Sequence, residues 1–208
     1  MRRRAALGAL AVLAAPVLAQ EPMQERDVLA AIGARLVSVP VLRGQFEQSK
    51  TVKGFKHPLL SQGDFLVLRG RGVIWRTRAP VAASLAMTRS RLVSRGADGA
   101  VQQQVDAAHE PAVRGIIELM FAVLSADLQV LAQRFSIGAQ LLPGQAWRIT
   151  LLPRDAALAQ WAARVEIEGD RQVRQVQWQD GMGDRTLIRM SAHQSGPAPS
   201  ADEEAWLD

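Results

Sequence analysis

Apolar residues recur in two rhythms along this chain of 208 residues. Over 24–39, Val28, Ile32 and Leu36 stand four apart with Leu29 beside them, which predicts an amphipathic helix. Asp27 suits its first turn, and Pro40 stops it. Over 42–52 the rhythm falls to two. Leu42, Gly44 and Phe46 share one face of a strand, and Arg43, Gln45 and Glu47 share the other. A loop at 53–60 follows, holding Gly54, His57 and Pro58.

The stretch 63–80, GDFLVLRGRGVIWRTRAP, predicts a β-hairpin. Phe65, Leu66, Val67 and Leu68 run apolar without a break, so this strand needs cover on both faces. Gly70 and Gly72 supply the freedom of a tight turn, and Val73, Ile74 and Trp75 restart the run. Pro80 ends it, since proline cannot donate to a ladder. Three short strands are expected at 83–88, 91–95 and 100–105, with Ala97-Asp98-Gly99 as a turn. Five more are expected at 135–141, 146–152, 163–169, 172–179 and 184–191. Gly169-Asp170 and Asp180-Gly181 mark hairpin turns, and 156–161 a helical turn after Pro153. Residues 195–199 read as a loop and 201–208 as an acidic tail. Short strands at this spacing predict an antiparallel barrel or sandwich.

The stretch 110–133 breaks the β rhythm. Pro111 suits a first helical turn. Val113, Ile116, Ile117, Met120, Phe121, Val123 and Leu124 then cover more than one helix face, interrupted by Arg114 and Glu118. Ser125 and Asp127 read as a break and cap before a second short helix at 128–133. A helix that is apolar most of the way round is either buried or meets lipid.

The first residues read as a targeting segment. Arg2, Arg3 and Arg4 form a basic start, 5–15 an apolar run, and Val17-Leu18-Ala19 a small-residue cleavage site. The expected division is a cleaved signal peptide at 1–19 and a single domain at 20–208. Loss of the leader removes three Arg, so 22 basic residues face 20 acidic ones and the net charge falls from +5 to +2. The remaining Arg are dispersed, which argues against a nucleic-acid partner. With no Cys, the chain has no disulfide, no zinc ribbon and no lipid-anchoring Cys at the cleavage point.

Catalytic signatures are missing as well. No Gly-x-Ser-x-Gly, phosphate-cradling loop, dinucleotide fingerprint or zinc helix occurs, and His57, His109 and His193 are far apart. No catalytic residue, metal or cofactor is expected. The apolar positions with no other assignment are Phe46, Phe65, Leu66, Trp75, Met87, Ile117, Met120, Phe121 and Trp147. They are the candidates for the wall of a hydrophobic cavity, and ordinary core is the alternative for each.

The order Gly63, Arg69, Trp75, Pro80 resembles the second and third strands of the periplasmic outer-membrane lipoprotein carriers, the LolA-like family. Gln45-Phe46-Glu47-Gln48 resembles the family's first strand. Trp147-x-Ile149-x-Leu151-x-Pro153, Val165-x-Ile167-x-Gly169-Asp170 and Asp184-x-Thr186-x-Ile188 resemble its second half. Gly70 replaces the family's usual Pro, which marks a divergent member. The resemblance implies a mainly β fold with an α lid (α+β), an open, incomplete antiparallel β-barrel of about eleven strands covered by helices. It implies a monomeric, non-enzymatic periplasmic carrier that shields lipoprotein or lipid acyl chains in a hydrophobic cavity. The donor would be an inner-membrane transporter, and the acceptor an outer-membrane lipoprotein receptor or the membrane itself. It also implies that Arg69 latches the lid through backbone carbonyls. Two alternatives stand beside it: a carrier fold serving another lipid or glycolipid export pathway, and a non-enzymatic periplasmic binding or scaffold protein.

Overall fold

Alternating residues in eleven stretches pair into one sheet in the computed structural model, which describes residues 24–110, 114, 115, 117, 118, 120–122 and 128–207. The strands are β1 (Val41–Thr51), β2 (Leu59–Leu68), β3 (Gly72–Ala79), β4 (Ala83–Thr88), β5 (Arg91–Arg95), β6 (Val101–Asp106), β7 (Phe135–Leu141), β8 (Trp147–Pro153), β9 (Arg164–Gly169), β10 (Val173–Gln179) and β11 (Arg185–Ser195). Their order is β6-β5-β4-β3-β2-β1-β11-β10-β9-β8-β7, antiparallel throughout. Two meanders therefore meet at β1. The pairing of β1 with β11, which sets Phe46 opposite Met190, is the one pairing between strands remote in sequence among the described residues. The edges β6 and β7 do not pair with each other, so the barrel stays open.

The strands follow the alternation read from the chain, with ends displaced by a few residues. The clearest displacement is in β2, which begins at Leu59, inside the stretch expected to be a loop. Its turn to β3 is closed by the Arg71 N–H donating to the Leu68 carbonyl at 3.0 Å. Gly70 holds φ +80 there, a conformation that favours glycine.

Four helices with complete bounds accompany the sheet: α1 (Glu25–Arg35), α2 (Leu128–Arg134), α3 (Ala156–Trp161) and α4 (Ala201–Ala205). The described residues from Arg114 to Ala122 are helical as well. The expected leader at 1–19, Pro111, Val113, Ile116, Val123, Leu124, Ser125 and Asp127 lie outside the described residues. Helix α1 buries Val28 and Ile32 and stops four residues before the expected end. Leu36 is already extended, and the Val37 N–H donates to the Arg171 carbonyl at 2.8 Å. That tertiary hydrogen bond replaces the next turn of helix. Asp155 caps α3, its carboxylate accepting from the Leu158 N–H at 2.7 Å.

The acidic tail expected at 201–208 is instead a docked helix. Ser200 and Glu203 form a capping box around the start of α4. Glu203 pairs with Arg43 at 2.7 Å, and Glu204 with Arg71 at 2.7 Å. The guanidinium carbons of Arg76 and Arg95 lie 5.1 and 4.8 Å from the Trp206 ring centre. Leu207 reaches Gly72 so closely that a Cβ there would stand 2.6 Å from Leu207 Cδ2. Leu207 and Trp206 thereby cover the outer apolar cluster of Val41, Leu66, Leu68, Ile74, Ala86 and Val93. This answers the unbroken run 65–68. Phe65 and Val67 belong to the inner core, while Leu66 and Leu68 lie under α4.

Candidate functional site

The inner face of the sheet carries the aromatic residues. Phe46 on β1 stacks on Trp75 of β3, with ring centres 4.0 Å apart at 26°. Phe65 on β2 follows at 5.9 Å and 19° from the same indole. Glycine makes the room: a Cβ on Gly44 would stand 2.5 Å from the Phe65 ring, and one on Gly63 would stand 2.9 Å from Phe46. Met87 of β4 and Trp147 of β8 continue the same cluster. The Trp147 indole N–H donates to the Asp170 carbonyl at 2.6 Å, so its polar edge is satisfied while the ring is buried.

Two helical residues meet this wall. Met120 and Phe121 are half-buried against the inner cluster. Of the nine cavity candidates, seven therefore converge, and Ile117 is buried without belonging to that cluster. Leu66 does not belong to it either; it pairs with Ile74 and packs in the outer cluster. The physical reason is strand parity, because neighbours in β2 point to opposite faces and Phe65 already points inward. Val67, Val73, Ile149 and Leu151 also line the inner core and were passed over in the sequence. The period of two was the signal for Ile149 and Leu151, while Val67 and Val73 lie in unbroken apolar runs. Phe46, Phe65, Trp75, Met87 and Trp147 are at most 9% exposed, so their own contacts fill the interior in this state.

One end of the interior opens into a pocket of about 170 Å³ beside the residues that follow α1. Leu36, Leu42, Phe65, Val173 and Met190 supply apolar wall, and Arg69, Arg171 and His193 polar wall. The His193 ring stands edge-on to Phe65 at 5.7 Å, and its Nδ1 is 3.0 Å from Arg174 Nη1. Burial, and then the charge of Arg174, hold the His193 pKa below the usual imidazole value, so the ring is neutral at neutral pH. Arg69 is exposed, and its backbone N–H donates to the Pro40 carbonyl at 2.9 Å. Its guanidinium has no hydrogen-bond partner among the described residues. A larger groove of about 460 Å³ lies between Glu47, Leu60, Gln62, Pro80, Leu187 and Arg189. These strand residues alternate with the inward ones, which puts the groove on the outer face, away from the aromatic stack.

An open antiparallel sheet curled around an apolar interior, with helical residues resting on that interior, defines a half-barrel fold built around a greasy centre. Residues 38–203 match the family described as Outer membrane lipoprotein carrier protein LolA, and the chain belongs to that family. No curated protein matches it in sequence. It is similar to a LolA superfamily protein from Nitrosomonas europaea, at 6% identity and TM-score 0.44, covering 86% of this chain and 96% of that one. It is also similar to an outer membrane lipoprotein-sorting protein domain from Vibrio parahaemolyticus, at 9% identity and TM-score 0.47, covering 88% and 97%. A third likeness is to MucB in the MucA/MucB complex of Pseudomonas aeruginosa, at 16% identity and TM-score 0.46, covering 85% of this chain and 59% of that one.

Proposed function

We propose that the protein is a non-enzymatic, monomeric periplasmic carrier that shelters the acyl chains of a lipid or lipoprotein on its way from the inner to the outer membrane. The observation that carries the reading is the position of Met120 and Phe121 on the same apolar interior as Phe46, Phe65 and Trp75. Exposed acyl chains cost roughly 0.8 kcal/mol per CH₂ in water. A helix that fills the interior when cargo is absent can leave it to the chains when cargo arrives, which exchanges one apolar contact for another. Release to an acceptor then requires only two lid states of similar energy. An inner-membrane transporter as donor and an outer-membrane receptor or membrane as acceptor complete the route.

The test is displacement of an environment-sensitive apolar dye by a lipopeptide. The wild type is expected to bind dye and release it to the lipopeptide. Phe121→Asp is expected to weaken dye binding strongly, while His57→Ala in the exposed loop leaves it unchanged. Equal effects of the two substitutions, or no binding by the wild type, count against a carrier.

A second reading, a binding or scaffold protein with a permanently filled barrel, draws support from the closed interior. Native mass spectrometry of protein from a membrane-rich host separates the two. A bound lipid or lipopeptide favours the carrier, and bare protein favours the scaffold. Export is tested by N-terminal analysis of periplasmic extract, with Gln20 as the expected first residue.

A further inference from the structure

We propose that the pocket beside the end of α1 is a headgroup subsite for a phosphate-bearing amphiphile, and that Arg69 and Arg171 hold its anion. This rests on the carrier reading and names the chemistry of the cargo. The pocket's apolar wall is not separate from the interior. Phe65 lines the pocket and stacks on Trp75 inside, while Met190 and Leu42 belong to or pack against the inner cluster. A chain lying along the aromatic stack therefore brings its head to this pocket.

The charge there is positive and unspent. Arg174 is paired with Asp170 at 3.1 Å, and Nδ1 of His193 takes up another of its N–H groups. His193 is neutral, so it serves as wall and not as charge. Arg69 and Arg171 remain, with no side-chain hydrogen bond or ion pair among the described residues. Arg171 is fixed in place by its backbone, whose carbonyl accepts from the Val37 N–H at 2.8 Å. Arg69 is fixed by its N–H to the Pro40 carbonyl at 2.9 Å. Two planar donors anchored at their backbones over an apolar floor suit an oxyanion with a greasy tail.

Size and chemistry narrow the ligand. A pocket of about 170 Å³ is room for about six water-sized groups at ~30 Å³ each, enough for a headgroup and too little for an acyl chain. The acylated, glyceryl-bearing Cys of a lipoprotein carries no phosphate. Two free guanidiniums are matched instead by a phosphate ester, as in a phospholipid or a phosphorylated glycolipid.

The test uses the full mature chain in isothermal titration with three probes: lysophosphatidylglycerol, a monoacylglycerol of the same chain length, and inorganic phosphate. The wild type is expected to prefer the anionic lysolipid by about tenfold, the worth of one charge-assisted hydrogen bond to a partly wet site. The preference is expected to shrink as salt rises. Arg69→Gln with Arg171→Gln removes the preference and leaves the neutral amphiphile's affinity unchanged. Arg164→Gln, which removes the same charge from the exposed pair with Glu166, keeps the preference. Circular dichroism confirms that each variant is folded. Equal binding of the two amphiphiles by the wild type overturns the proposal while leaving the carrier reading intact. Binding of neither overturns both. Phosphate alone competing as well as the lysolipid overturns the amphiphile and leaves a simple anion site. Tighter retention of both amphiphiles by Arg69→Gln assigns Arg69 to the lid, as the family resemblance implies, and overturns its role here.

Discussion

Phe46 stacks on Trp75 across an intervening strand. The two residues sit on β1 and β3, and their ring centres are 4.0 Å apart because Gly63, the β2 partner of Phe46, puts no side chain against the Phe46 ring. Gly63 pairs with Phe46, and a Cβ at Gly63 would stand 2.9 Å from that ring and collide with the Arg76 carbonyl. Gly63→Ala is therefore expected to force the β2–β3 register or the stack apart, at a cost of about 1–3 kcal/mol. Urea denaturation checks this. A midpoint within error of the wild type would mean that the sheet absorbs the methyl group.

Phe65 and Leu66 are neighbours in sequence with opposite assignments. Both are buried, so either truncation to Ala is expected to cost about 2–5 kcal/mol of stability. They should part in binding. Phe65→Ala is expected to weaken apolar dye binding, because Phe65 lies in the inner stack. Leu66→Ala should bind dye normally at temperatures where it is folded, because Leu66 lies under α4. Dye titration of both variants well below their melting temperatures measures the difference.

The hold of α4 on the sheet is expected to weaken in acid. The hydrogen bond from Arg43 keeps the Glu203 carboxyl below its usual pKa, against a smaller opposing effect of burial. A carboxyl depressed on folding stabilises the fold fully above its unfolded pKa, near 4.3, and the contribution is lost as pH falls through the lower folded value. Glu203→Gln retains the capping-box geometry and removes the charge. It should lower stability by about 0.2–1 kcal/mol at pH 7. Below the lowered folded-state pKa of Glu203 the two proteins should converge. Urea midpoints measured from pH 7 downward test the sign. A gap that widens in acid would contradict it.

Arg76 and Arg95 both lie over the Trp206 ring, and Arg95 Nη1 is buried with no hydrogen-bond partner among the described residues. Trp206→Ala is expected to destabilise the outer cluster by more than Glu203→Gln does, since cation–π contacts of about 0.5–2 kcal/mol are lost along with buried area. Protease resistance at the end of the chain is a second readout, with faster clipping around α4 in the Trp206 variant.

Strand positions were legible because a residue-by-residue alternation is a local property. Trp147, Ile149 and Leu151 alternate with Arg148 and Thr150, and β8 follows them. The hairpin at Gly70 was equally local, since a tight turn needs φ > 0 within a few residues. The face that carries Phe46 was readable from the same rhythm, since Leu42, Gly44 and Phe46 alternate with Arg43, Gln45 and Glu47.

Where the rhythm fails, only the folded chain decides. Phe65, Leu66, Val67 and Leu68 are all apolar, so no pattern says which pair faces inward. The pairing of Phe65 with Gly44 and Trp75 does. The end of α1 was set by a hydrogen bond from Val37 to Arg171, a partner 134 positions away in the chain numbering. The residues after Ser200 gave no sign of docking, because the partners of Glu203, Glu204 and Trp206, namely Arg43, Arg71, Arg76 and Arg95, come from four other strands or turns. Local composition carries the periods and the turns. The face that each strand buries, and the cations that gather at a pocket or under a helix, depend on which distant segments the sheet brings together.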